Sequence, residues 1–483
     1  MGQIVPVAEG WKNSSPGRYT HDSGGRLING YAEKADPNGK MQYPVYPIGG
    51  LTDFVTLTSG GVWRGGIEVA SELDSFGYVI SGTNVDKIEV IGDIDSPTIV
   101  KTYIGDFPGS DRVFMAHNRK SNTPQVAVVA NGLAYIIEDD AIAPLGDNDL
   151  PSPSSVTFVG GYFIFTIPDG RVFITSIDEG TEVDALDFAT AEAAPDGLLV
   201  GYAVRQEVAL FGTRSIEFWA QTAETFPFTR IPGTTVNKLG LLCKYSVADL
   251  NDVPFFVATD GTVRMLDGYQ PVRVSTHDVE RAIESIDDKD TITATAFPYQ
   301  GHQFYILSSP SWTWAYDALT GLWHERESYG ETRWRGEGYL NIRGKRVVGD
   351  FEANKLYTIE PDTYTEAGTH LIWRLRTPPI HAFPHALGFD RIFLDMIPGV
   401  GLNSSDDHVA DPKVMLSWSD NGGKVFGTEL TASVGQIGEF SRRVRFERLG
   451  QSGEDGRIFD ISMSAAVIRG ITGASVEVEL LEP

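Results

Sequence analysis

Through the middle of the chain, short apolar runs alternate with tight polar pairs that carry glycine. Val208-Ala209-Leu210-Phe211-Gly212-Thr213-Arg214-Ser215-Ile216-Glu217-Phe218-Trp219 reads as strand, turn, strand. Tyr78 to Ile80 runs into Ser81-Gly82, and Val126 to Ala130 into Asn131-Gly132 and then Leu133 to Ile137. Phe163 to Ile167 meets Asp169-Gly170, and Phe255 to Ala258 meets Asp260-Gly261. Asn-Gly and Asp-Gly supply the positive φ that two-residue hairpins require. The runs themselves are rich in Val, Ile, Phe, Tyr and Thr, residues that suit a pleated surface. Their near-continuous apolarity predicts strands covered on both faces.

Hairpins alone are common to sandwiches and propellers, so their recurrence matters more. The expected turn glycines Gly82, Gly132, Gly170, Gly212 and Gly261 lie 50, 38, 42 and 49 residues apart. A hairpin unit returning every ~40–50 residues is the mark of a β-propeller. About seven blades are predicted, near 62–104, 111–145, 151–190, 197–232, 239–276, 291–330 and 333–378. The sixth shows the clearest hairpin, Thr313–Asp317 then Leu322–His324. Asp317 is expected to cap its turn, with Gly321 in the left-handed position.

The pattern changes on both sides of this array. Residues 1–50 are polar and turn-rich and predict an extended N-terminal arm with strands near Leu27–Ala32 and Tyr43–Pro47. Pro378, Pro379 and Pro384 mark a break, since proline cannot donate to a sheet ladder. Beyond it, Arg391–Ile397, Lys413–Ser419, Ser441–Leu449, Ile458–Ser464 and Ala474–Leu480 alternate more clearly. They predict a separate β-sandwich. The expected architecture is therefore all-β: arm 1–50, propeller 51–380 and C-terminal β-sandwich 381–483. Helix is expected only at Asp278–Ile286, with Val279, Ile283 and Ile286 on one face, and as a short turn near Ala191–Ala194.

Composition narrows the function. Cys243 is the single cysteine, which excludes an internal disulfide framework and any cysteine-rich metal site. It also points to folding in a reducing cytoplasm. The N-terminal residues lack the basic-then-apolar order of a secretory signal, and no run is long enough to span a bilayer. The formal charge is −26, from 39 basic and 65 acidic residues. That opposes a basic groove gripping nucleic acid through its phosphates, yet it does not oppose DNA that passes without sticking. Acidic charge also keeps a large β protein soluble.

No catalytic, cofactor-binding or metal-ligating set stands out: phosphate-loop, zincin-helix and nucleophile-elbow motifs are all missing. His381 and His385 are four apart, but Pro384 opposes the helix that would align them. Asp147-Asn148-Asp149 lacks the closing glutamate of a calcium loop and reads as a solvated turn. Trp418-Ser419-Asp420-Asn421-Gly422-Gly423 resembles the Asp-box turn of sialidases, with Asp420 expected to bind backbone N–H groups of its own turn. Together with Trp312, Trp314, Trp323, Trp334 and Trp373 it supports an alternative, a glycan-binding or sialidase-like propeller. Inter-blade packing is the plainer role for those tryptophans. Arg442, Arg443, Arg445 and Arg448 form the densest basic cluster. As a strand, Arg443 and Arg445 share one face and Val444 and Phe446 the other; the face suits solvent or an acidic partner subunit.

Several stretches, in order, resemble the packaged-DNA stabilisation proteins, tail accessory or nozzle components of short-tailed phages. They include Arg112-Val113-Phe114-Met115-Ala116-His117, Pro195-Asp196-Gly197, Lys238-Leu239-Gly240 with Cys243-Lys244, Tyr316-Asp317, Leu416–Gly423 and Arg445–Gly450. The resemblance spans roughly residues 25–480 and is weakest in the arm. It implies a homohexameric ring below the portal-bound head-to-tail adaptor, joined to a tail needle or plug and supporting tailspikes or fibres. Double-stranded DNA is retained by this ring and later leaves through its lumen without specific binding. The implied location is the virion tail, assembled in the host cytoplasm, with no membrane insertion, no enzymatic activity and no cofactor.

Overall fold

The structure is a computed structural model describing residues 3–7, 10–70, 75–93, 96–120, 124–146, 149–191 and 196–481. Seven four-stranded antiparallel units form, four as separate sheets and three as parts of larger sheets. They begin at Trp63–Ala70, Phe114–His117, Ser155–Val159, Leu198–Val204, Ala248–Leu250, Thr293–Tyr299 and Gly336–Ile342, and we number them blades 1 to 7 in that order. The all-β propeller followed by a sandwich is the architecture expected from the hairpin pattern.

Ring closure is visible in the packing. One apolar cluster fills each space between neighbouring blades. Tyr78 and Ile80 of blade 1 meet Val126 and Val128 of blade 2. Ala127 and Val129 on the other face of the same strand meet Phe163 and Phe165 of blade 3. This explains why Val126–Ala130 is buried at every position: both faces carry a neighbour. The circuit ends where Leu340, Val347 and Leu356 of blade 7 pack on Trp63 and Val79 of blade 1. At this seam glycine is required, because a Cβ on Gly349 would stand 2.3 Å from the Trp63 ring.

Blade 7 differs from the expected contiguous unit at 333–378. Its fourth strand is Gly50–Thr56, which pairs with Lys355–Glu360 in the register Leu356↔Val55 and Ile359↔Leu51. The chain then enters blade 1 directly, so a strand from near its start zips the ring shut. Trp373–Arg376, the expected end of that blade, belongs to the sandwich and pairs with Ile458–Met463.

The five C-terminal strands occur as Leu387–Met396, Lys413–Ser419, Val444–Gln451, Ile458–Met463 and Ile471–Leu480. They split into two facing sheets around Phe389, Leu416, Phe446, Ile461 and Val476. The arm supplies further strands to both. Gln3–Pro6 pairs with Ile471–Leu480, and Gly30–Ala32 joins the same sheet through Val45–Pro47. Arg26–Ile28 lies between the two units, antiparallel to Trp373–Arg376 and parallel to the outer strand of blade 6 through Ile28↔Glu325. Asn29 locks the junction. Its backbone takes the left-handed φ of 56° that Asn tolerates, and its amide donates to the carbonyl oxygens of Glu327 and Ile372, each at 2.8 Å. The arm is therefore laid across the propeller and the sandwich and fastened to both.

The one predicted longer helix forms at His277–Glu284, with Val279 and Ile283 buried between blades 5 and 6. The turn expected near Ala191–Ala194 lies largely outside the described residues. No helix among those residues is long and apolar enough to cross a membrane.

Turn chemistry is mixed. Gly82, Gly132, Gly170 and Gly261 take positive φ as expected. Gly212 does not; it ends its strand, and the turn proper is Thr213-Arg214. Its lack of a side chain makes room for Asp196, whose carboxylate would lie 2.5 Å from a Cβ there and accepts from the Arg214 N–H at 2.6 Å. In blade 6, Asp317 accepts from the Leu319 N–H at 3.0 Å and the Thr320 hydroxyl at 2.7 Å, and Gly321 has φ 73°, as the sequence predicts.

Candidate functional site

The innermost strands of the blades converge on the propeller axis, where a propeller would hold a ligand. Two cavities lie there, of about 340 and 520 Å³, and Arg112 and Tyr245 line both. Between them Glu337, buried to 2 %, accepts from Arg112 at 2.9 Å, from Arg333 and from the Thr293 hydroxyl at 3.1 Å. Burial alone would raise the pKa of Glu337, but Arg112 and Arg333 outweigh it and hold the carboxyl below its ordinary range. The group is an anion clamped between two cations. Because Arg112 precedes blade 2 while Arg333 and Glu337 belong to the entry of blade 7, the clamp spans the ring across blade 1.

Arg64 is similarly occupied. Its guanidinium donates to the carbonyl oxygens of Asp111 and Gly82, both at 2.7 Å, and to those of Phe107 and Pro108. Burial draws its pKa down, with Asp111 partly compensating. Tyr202 donates to Asp249 at 2.6 Å, joining blades 4 and 5. Arg64, Arg112, Arg333 and Glu337 thus serve one another or the backbone, while Lys244 lies over the Phe114 and Tyr245 rings. None of this was legible from spacing: Arg112 and Glu337 are brought together only by closure of the ring.

The tryptophans that sequence offered as a sugar platform are dispersed and buried. Trp314 and Trp323 pack between blades 5 and 6, with Trp312 partly buried at their edge. Trp334 lies between blades 6 and 7, and Trp373 is in the sandwich core. No shared exposed face exists among them, because their large apolar area is spent on holding blades together.

The Asp-box-like turn forms with Gly422 at φ 68° and Gly423 at φ 80°, but different atoms hold it. The Ser419 hydroxyl accepts from the Gly423 N–H at 3.0 Å, and the Asn421 side chain accepts from the Val425 N–H at 3.0 Å. Asp420, expected to bind its own turn, instead takes Arg457 in a two-pronged pair at 2.7 and 2.8 Å. The cause is Arg457 itself: 1 % exposed, it needs a counter-charge, which the half-buried Asp420 supplies.

His381 and His385 lie on a tight turn closed by the His385 N–H to the Ala382 carbonyl at 2.9 Å. Among the described residues no three His, Cys, Asp or Glu side chains come together as a metal set. Of Asp147-Asn148-Asp149, the first two lie outside the described residues.

The arginine cluster is where the molecule leaves charge unspent. Val444 and Phe446 point into the sandwich while Arg443 and Arg445 face out, as alternation predicts. A bulge opposite Asp390 gives Arg448 a φ of 60° and turns it out of that row. Arg442, Arg443 and Arg445 line a groove of about 760 Å³ together with Phe393 and one acid, Glu439. Arg445 meets Glu447 at 3.3 Å, whereas Arg442 and Arg443 form no ion pair among the described residues.

Comparison with known proteins gives a consistent picture. The family model described as bacteriophage P22 Gp10, β-propeller, matches residues 3–364, and that described as bacteriophage P22 Gp10, β-sandwich, matches residues 372–479. The tail hub protein gp10 of Salmonella phage P22 is 26 % identical over 237 residues, a match covering 44 % of this chain and 49 % of that protein. The chain therefore spans about half the length of that curated relative. Among solved structures, the WD40 β-propeller domain of Doa1 covers 65 % of this chain and 97 % of its own, with TM-score 0.41 and 10 % identity. The computationally designed Ika8 protein covers 64 % and 99 %, with TM-score 0.37 and 14 % identity.

Proposed function

Because the chain belongs to the bacteriophage P22 Gp10 family, matched by the propeller and sandwich models in order, we propose that it is a structural component of a phage tail, located in the virion. In this reading it is the nozzle or hub ring below the portal adaptor, a homohexamer that retains packaged DNA and forms the conduit for its ejection. Residues 1–49 act as a binding arm, the propeller from Gly50 as the wall, and the sandwich from Trp373 onward as an exposed module. Its partners are the portal-bound adaptor, a tail needle or plug, and tailspikes or fibres. No bond-making chemistry is involved and no cofactor is needed.

The ordered double match carries this reading. Physical support comes from the axis of the single propeller, where the Arg112–Glu337–Arg333 clamp sits between two cavities of only about 340 and 520 Å³. A passage for a duplex has to lie between copies. The −26 charge fits a wall that DNA slides along, since attraction at many phosphates would slow exit.

The test is a phage lacking this chain. Heads should package DNA and then lose it, so that particles recovered from lysates hold nuclease-sensitive genomes, and tails imaged by electron microscopy should lack the ring. Particles that keep nuclease-protected DNA without the chain would refute retention as its task.

A further inference from the structure

The groove on the sandwich has a complement elsewhere on the same chain. In blade 3 the outer strand Glu179–Thr190 leaves register with its neighbour: Phe173 faces Phe188 and Thr175 faces Val183. Asp184-Ala185-Leu186-Asp187 are left unpaired across the sheet and bulge outwards. Leu186 is 83 % exposed at the tip of this bulge. Asp184 and Asp187 flank it and make no ion pair among the described residues. The nearby Arg171 is committed to Asp169 at 2.7 Å and to the face of Phe188.

The geometry points to a contact between two copies of this chain in which the blade 3 bulge of one enters the sandwich groove of the next. Leu186 would sit against Phe393, and Asp184 and Asp187 would meet Arg442 and Arg443. Three observations support this occupant. The charges are complementary on a chain whose net charge of −26 otherwise makes copies repel. Both surfaces pair charge with exposed apolar area, since Ile437 and Phe440 beside the groove are 66 % and 72 % exposed. The two surfaces also lie at opposite ends of the molecule. The sandwich is joined to the outer strands of blades 6 and 7 through Arg26–Ile28 and Thr365–Glu366. On a ring of seven, blade 3 is across from that junction, with two blades on either side. Different patches at opposite ends make a heterologous contact, the type that builds a ring where its rotation closes. The inference rests on the proposed ring and adds the surfaces that build it.

Charge reversal tests it. D184K/D187K alters only the bulge, and R442E/R443E only the groove. Each variant should weaken self-association more than about a hundredfold, since like charges then face each other. Native mass spectrometry should show each variant alone as a monomer. An equimolar mixture should restore assembly with the two variants alternating around the ring, because the native bulge of one meets the native groove of the other and the two reversed surfaces meet each other. All four substitutions in one chain should restore assembly. A second readout uses L186C and S441C in separate chains with a bismaleimide; the native Cys243 is buried and stays out of the reaction. Only the mixture should cross-link between different chains. If wild type assembles and the reversed variants assemble equally well, the surfaces are wrong and the ring stands. If neither association nor mixed cross-links appear at any concentration, this contact is refuted, and the ring is decided by imaging tails.

Discussion

Replacing Glu337 with glutamine removes the one anion that two axial arginines share. Arg333, which borders one cavity but has a side chain only 5 % exposed, regains little hydration, while Arg112, at 26 %, borders both and regains more. Removing one partner of a buried pair typically costs ~3–5 kcal/mol, because the remaining charge is stranded. The partial exposure of Arg112 places the expected loss near the lower end, about 3 kcal/mol. At roughly 2 °C per kcal/mol for a large domain, the melting temperature should drop by ~6 °C. Calorimetry on wild type and E337Q measures this directly. Adding R333M to E337Q removes the stranded charge and should recover much of the loss.

The pH dependence has a definite sign. The folded pKa of Glu337 lies below its ordinary value of 4.5, so its contribution is complete at neutral pH and fades only as pH falls through the depressed folded value. The gap between wild type and E337Q should therefore hold from pH 8 to pH 5 and narrow in stronger acid. An E337Q protein within about 0.5 kcal/mol of wild type at pH 7, well under the ~3 expected for a buried pair, would show that the clamp does not stabilise the ring.

Three further outcomes follow from buried groups. Arg457→Met should cost about 3 kcal/mol by releasing Asp420 and the Leu449 and Gln451 carbonyl oxygens, and hydrogen exchange should rise in 418–427 while the propeller is unchanged. His302 bridges Asp317 at 2.8 Å and Glu33 of the arm at 3.5 Å; burial pushes its pKa down, but the two carboxylates win and raise it. Its contribution is present below the unfolded value near 6.5 and lost as pH rises through the folded one, so the protection of arm amides near Glu33, relative to intrinsic exchange at each pH, should fall in alkali by an amount worth about 1–2 kcal/mol, and H302Q should abolish that fall. Burial pushes the Cys243 thiol up to about 12, so a thiol reagent at pH 8 should label it only after unfolding; prompt labelling of native protein would contradict its packing.

What the sequence disclosed was local. A hairpin announces itself within a dozen residues, so blades 1 to 4 and 6 lie within about five residues of their expected bounds, blade 5 starts nine residues later than expected, and alternation alone places Val444 and Phe446 inward. What it hid required partners far apart. Gly50–Thr56 has no local mark of belonging beside Lys355–Glu360, and a contiguous seventh blade was the natural reading. Asp420 has the residues for a self-capping turn; only the buried Arg457, distant in sequence, redirects it. Gly212 looked like a turn glycine because its spacing fitted, yet the approach of Asp196 is what demands it. The axial clamp was invisible for the same reason, since ion pairs leave no periodicity.

These long-range closures also bear on mechanics. A propeller closed only by contacts between first and last blades can part at that seam. Here the seam is crossed by a strand that begins in the arm, and the arm is itself paired into the sandwich. Opening the ring would have to break the ladder between Gly50–Thr56 and Lys355–Glu360, expose Leu356 and Trp63, and pull against the Asn29 junction as well. Such steps are coupled, because the same segment of chain takes part in each. A structural unit that must stay closed gains more from this coupling than from any single strong contact. The arm is then best understood as the tie that makes two folded units move as one.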